Sequence, residues 1–191
     1  MIYRELSETE YEDLKSGILY EDNHIMIVNK RCGEIVQGDK SGDEPISEAY
    51  KAFIAQRDAK PGQVFVGVPH RLDRPVSGIV ILAKTSKALE RLTAMFRDGS
   101  IHKTYWALSC AEPHPAEGEL TDWMVRNEKQ NKSYICKMPG HDSIGHITED
   151  CPRQDFGKAP RPDAKLARLR YRLAGRTQRY FLIEVQLLTG R

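Results

Sequence analysis

The chain has 191 residues, 40% of them hydrophobic and 29% charged, with a formal net charge of +2. That length suits one compact domain with a real core, and that balance argues against a disordered or membrane-embedded chain. The charge is unevenly spread, with net −5 over residues 1–60 and net +7 over residues 153–191. The basic surface is therefore mostly C-terminal, either as a polyanion-binding face or as a solvated one.

The opening stretch is acidic and lacks the apolar segment of a signal peptide, and no later run is long enough to cross a bilayer, so a cytoplasmic setting is expected. Cys32, Cys110, Cys136 and Cys151 are widely spaced with no Cys-x-x-Cys pair. They read as reduced thiols rather than a disulfide framework.

In chain order, residues 18–30 read as two short strands around the turn residues Glu21, Asp22 and Asn23. Ile46, Ala49, Tyr50, Phe53 and Ile54 recur at helical spacing, and Lys60, Pro61 and Gly62 stop that helix. The run from Gly78 to Lys84 is continuously apolar and β-branched, which predicts a central strand buried on both faces. A second helix follows, with Ser86 as its cap, Leu89, Leu92 and Phe96 as its apolar stripe, and Gly99 at its end. Residues 103–109 return as a strand.

Residues 138–164 hold several Pro and Gly without periodicity and read as a long loop or insertion. Beyond it, Ala167, Leu169, Tyr171 and Leu173 alternate with Arg168, Arg170 and Arg172, so the three arginines share one strand face. Phe181, Ile183, Val185 and Leu187 alternate likewise and pair back. Strands outnumber helices, which gives an α+β class with a large mixed, largely antiparallel sheet and helices packed on it.

The stretch from Pro69 to Gly78 is a polar, Pro- and Gly-punctuated loop that delivers Asp73 to the edge of an apolar strand. A strand fixes the backbone while the loop exposes the side chain, a suitable setting for a catalytic group. Arg71 and Arg74 flank Asp73 and favour its ionised form wherever they stand near it. An ionised aspartate serves as nucleophile or base; the same residue in a loop also serves as a turn cap or salt-bridge partner.

His70, Arg71, Leu72 and Asp73, then two residues, then Val76, Ser77 and Gly78 and an apolar strand ending in Ala83 and Lys84, resemble the signature of RluA-like pseudouridine synthases. The likeness extends over most of the chain. It takes in the strand pair at 18–30, the helix after the motif, Lys103, Tyr105 and Ala107 in a Lys-x-Tyr-x-Ala strand, Asp122 with Trp123, residues 131–133 and residues 187–191. It implies the fold of those enzymes, with residues 1–191 as a single catalytic domain cut short at its C-terminal end.

It also implies an isomerase that converts a uridine in ribosomal or transfer RNA to pseudouridine with no cofactor and no metal; a monomer without membrane attachment is expected. On this resemblance Asp73 is the catalytic carboxylate: the bond from the sugar to N1 breaks, and the turned base rejoins the sugar through C5. Attack on the sugar, attack on the base and removal of a sugar proton all stay open. The uridine has to leave the helical stack to be reached. Arg71 then fills the vacated space, Tyr105 stacks on the flipped base and assists proton movement at C5, and His70 and Arg74 join the RNA contacts. Arg168, Arg170 and Arg172 are candidate phosphate contacts or a solvated sheet face.

The family motif that begins at Thr189, Gly190 and Arg191 continues further in other members. The alternative reading is therefore an RNA-binding module left without catalysis. A third reading is a zinc site built on Cys136, His141, His146 and Cys151, although their five-residue spacing lacks the short ligand pairs of common zinc modules.

Overall fold

A computed structural model describes residues 3–130, 132–136 and 161–189. The chain divides into two compact units, residues 1–100 and residues 101–191.

The first unit opens with α1 (Glu8–Ser16), an element additional to those expected from the sequence. Ser7 and Glu10 form a reciprocal capping box there, which satisfies two of the backbone donors that every helix start leaves free. A hairpin of β1 (Ile18–Glu21) and β2 (Ile25–Lys30) follows, then α2 (Ile46–Arg57), β3 (Gly78–Ala83) and α3 (Ser86–Asp98). The three strands pair antiparallel in the order β1-β2-β3.

The core lies between this sheet and α2. Met26 and Val28 from β2, Val80 and Leu82 from β3, and Tyr50, Phe53 and Ile54 from α2 are all buried in one cluster. Burying an aromatic or aliphatic side chain of this size is worth about 1.5–3 kcal/mol, so α2 is held by its packed face. Tyr50 joins α1 to this core by donating to the Leu14 carbonyl at 3.1 Å. Its burial pushes the phenol up to about 12.

β3 departs from expectation. Val80 and Leu82 are 0% and 1% exposed while Ile79 is 60% exposed and Ala83 0%, so one face is covered throughout and the other is open at Ile79 and closed again by Ala83. The cap of α3 is Thr85 rather than Ser86: the Thr85 side chain accepts the Ala88 N–H. Gly99 ends α3 in the left-handed conformation as expected.

Glu21, at the end of β1, accepts from Arg57 Nη1 at 2.6 Å and from Lys84 Nζ at 2.6 Å. It ties the C-terminal ends of α2 and β3 to the hairpin. The two cations hold its carboxyl below the usual glutamate value, Arg57 contributing most.

The second unit is a five-stranded antiparallel sheet of β4 (Lys103–Ser109), β5 (Glu117–Asn127), β6 (Lys132–Ile135), β7 (Lys165–Arg176) and β8 (Phe181–Leu187), in the order β4-β8-β7-β5-β6. The strands thus pair in two antiparallel sheets where one large sheet was expected, within the α+β class. In the sequence β5 and β6 are marked only by Asp122, Trp123 and residues 131–133, which resemble the family. Most of the loop expected at 138–164 lies outside the described residues. Cys32, Cys110 and Cys136 are free thiols.

Candidate functional site

The loop that carries Asp73 is pinned from beneath by a lysine. On β2, Met26, Val28 and Lys30 alternate onto the core face, and Lys30 is 1% exposed. A buried ammonium demands acceptors. Lys30 Nζ finds four backbone carbonyls: Arg31 at 3.0 Å, Asp73 at 3.2 Å, Arg74 at 3.3 Å and Val76 at 2.5 Å. Burial pulls this ammonium below the ordinary lysine value.

Two further bonds from the same segment complete the attachment. The Gly33 N–H donates to the Arg74 carbonyl at 2.8 Å, and the Cys32 thiol donates to the Pro75 carbonyl at 3.3 Å. Every carbonyl from Asp73 to Val76 is therefore held by residues 30–33. Lys30 had escaped the sequence reading, yet the signal was present: the two-residue period of Met26 and Val28, carried one step on, puts a lysine on the buried face.

The start of the loop is fixed from the other side. His70 Nε2 accepts the Ile81 N–H at 2.9 Å, and its ring lies against Phe96 with centroids 4.3 Å apart. His70, proposed from sequence as an RNA contact, thus anchors the loop to β3 and α3. Leu72 packs against the core, while Arg71 and Asp73 are exposed. Leu72 inward and Asp73 outward, on a backbone held at both ends, present the carboxylate to solvent in a fixed place.

Arg74 turns to a neighbouring segment. Its guanidinium donates to Asp43 Oδ2 at 2.6 Å and to Ser41 Oγ at 2.7 Å, and Asp39 Oδ2 lies 3.5 Å away. His70, Arg71, Asp73 and Arg74 thus share one loop of the first unit.

Tyr105, Arg168, Arg170 and Arg172 belong to the second unit, and strand parity separates them. Tyr105 stands opposite Val185 on β8, which stands opposite Tyr171 on β7. Arg170 and Arg172 stand opposite Gln186 and Glu184. The three arginines therefore occupy the sheet face turned away from Tyr105. They are engaged there across strands: Arg168 and Arg170 with Glu119, Arg172 with Glu184 at 2.9 Å. These pairs hold the carboxyls of Glu119 and Glu184 below the usual value.

At the end of β8, Thr189 Oγ1 accepts the Arg168 N–H at 3.0 Å. Gly190 and Arg191 lie outside the described residues. So do His141, His146 and Cys151 of the possible zinc site, and no group of three metal-ligating side chains occurs among the described residues.

The family model for RNA pseudouridylate synthase matches residues 24–191. The chain belongs to the RNA pseudouridylate synthase family. It is 30% identical over 181 residues to the mitochondrial pseudouridylate synthase RPUSD4 of Xenopus tropicalis, covering 93% of this chain and 54% of that protein. It is 40% identical over 96 residues to the ribosomal large subunit pseudouridine synthase C of Vibrio cholerae, covering 50% of this chain and 29% of that one.

The fold agrees with the family. The solved structure of human RNA pseudouridylate synthase domain containing 4 superposes with a TM-score of 0.73 at 22% identity, over 96% of this chain and 63% of that one. The chain spans about half the length, or less, of these curated relatives.

Proposed function

We propose that this chain isomerises a uridine in RNA to pseudouridine, with the Asp73 carboxylate as the reacting group. The observation that carries the reading is the mounting of Asp73: an exposed side chain on a backbone whose carbonyls are held by the buried Lys30. A preorganised carboxylate requires little reorganisation when it reacts.

The reaction is balanced within the substrate. The bond from the sugar to N1 breaks, the base turns, a bond from the sugar to C5 forms, and the C5 proton leaves as N1 regains one. No electrons enter or depart. In this reading Arg71, exposed beside Asp73, occupies the space the uridine leaves, and Tyr105 stacks on the extruded base.

Relatives named for the large ribosomal subunit support ribosomal RNA as the first substrate class to test, with transfer RNA second. A cytoplasmic location and a monomeric state belong to the same proposal, and fractionation and analytical ultracentrifugation test them. No observation favours a binding module without catalysis.

The test is Asp73→Asn, made in this chain and in any longer form of the protein that contains it. RNA binding is expected to survive while pseudouridine formation, read by chemical mapping, disappears. Pseudouridine formation at the wild-type rate would refute the assignment.

A further inference from the structure

Arg74 follows the proposed catalytic aspartate directly, and its environment is unusual for a loop assigned to a polyanion. Its backbone is immobilised, because its carbonyl accepts from Lys30 and from Gly33. Its guanidinium, in contrast, lies at the surface, surrounded by three oxygens of one short turn: Asp43 Oδ2, Ser41 Oγ and Asp39 Oδ2.

That turn is built to offer those oxygens. Asp39 Oδ1 accepts the Ser41 N–H at 2.8 Å, and Ser41 Oγ accepts the Asp43 N–H at 3.3 Å. Gly42, at φ +81°, supplies the left-handed step that folds Asp43 back. Arg74 holds the Asp43 carboxyl, and Ser41 the Asp39 carboxyl, below the usual aspartate value, so both stay ionised at neutral pH. The clasp thus sets two negative charges against one positive, next to Asp73, on a surface meant to meet phosphates.

We propose that Arg74 is a phosphate-binding residue held in reserve, with the oxygens of Asp39, Ser41 and Asp43 standing where the oxygens of one RNA phosphate come to lie. The inference rests on the RNA-directed reading above. A guanidinium takes carboxylate and phosphate oxygens through the same fork of donors, and ion pairs this exposed are weakly held in water. An arriving phosphate displaces the turn, and the turn's negative charge turns away polyanions that make too few other contacts to open it. Arg74 and its clasp thereby filter substrates next to the reacting carboxylate.

The test is a cycle of variants. Fluorescence anisotropy follows binding of a labelled, uridine-containing RNA stem-loop to wild type, Asp39→Asn with Asp43→Asn, Arg74→Ala, and the three changes combined, each checked for folding by thermal melting. The Asp-to-Asn pair is expected to bind about two- to fivefold more tightly and with a steeper salt dependence, by about one phosphate contact. Both gains are expected to vanish when Arg74→Ala is added.

Equal or weaker binding by the Asp-to-Asn pair would overturn the proposal and leave the turn as a structural clip. A gain that persists without Arg74 would overturn it equally, since bulk charge would then be the cause. Failure of the functional reading looks different: none of the four proteins binds RNA, or all bind it and none of the catalytically intact ones forms pseudouridine.

Discussion

Lys30→Met removes one ammonium and keeps the length and apolar stem of the side chain, so it isolates what the charge does beneath the loop. Four carbonyls lose a donor. Arg31 and Asp73 are exposed residues, and the Asp73 carbonyl keeps the Val76 N–H; Arg74 and Val76 are half-buried. The Gly33 N–H still serves Arg74, so the Val76 carbonyl is the one left stranded, at about 1–3 kcal/mol; the charge no longer has to be buried, which leaves a net loss of about 1–2 kcal/mol.

Urea denaturation reads that loss as a lower midpoint at constant slope. Function is expected to suffer further, because a catalytic group displaced by about an ångström costs on the order of a hundredfold in rate. Single-turnover pseudouridine formation should fall by at least about tenfold. A Lys30→Met protein with wild-type midpoint and wild-type turnover would refute the idea that this lysine positions the loop.

Two other perturbations test the frame around the loop. Glu21 has a carboxyl lowered from 4.5 by Arg57 and Lys84, so its contribution is fully present above 4.5 and is lost as pH falls through the lower folded-state value. Glu21→Gln should cost about 1–2 kcal/mol at pH 7 and flatten the stability profile measured by urea titration below pH 4.5; an unchanged acid limb would count against the ion triad. Gly78 stands at φ +137° with its nearest outside neighbour 3.8 Å from an added Cβ, so Gly78→Ala suffers backbone strain rather than a clash. A loss of about 1–3 kcal/mol is expected, and a melting temperature equal to wild type would contradict it.

Much of this architecture was readable before any coordinates. The helix over 46–57 and the alternating strand at 181–187 have clear periods, and they came out where the pattern put them, as did the strand expected at 103–109. α1 did not, because none of its residues is fully buried and its packed face is only Tyr11 and Leu14, too short a stripe to show a period; the Ser7 and Glu10 cap is the stronger signal. β5 hides for a related reason: both its faces are half-covered over most of its length, and alternation disappears. At the candidate site, the loop that carries Asp73 was legible through its motif and its Pro and Gly punctuation.

Lys30 was missed because a strand-ending lysine suggests solvent, whereas the carbonyls that receive it are brought from residues 73–76 by tertiary folding. The shared face of Arg168, Arg170 and Arg172 followed from parity alone. That this face is the one opposite Tyr105 required the β4-β8-β7 register, which no local pattern encodes.

The Glu21 triad has a consequence for how β3 finds its place. All six residues from Gly78 to Ala83 are apolar or glycine, so sliding the strand one position along β2 would swap Val80 and Leu82 for Ile79 and Ile81 at little hydrophobic cost. The slide would carry Lys84 away from Glu21 and from the Asp22 carbonyl that it also reaches. A polar latch at the strand's tip thus chooses between two alignments that greasy side chains alone would leave nearly degenerate, and with that choice it decides where the loop before the strand holds residue 73.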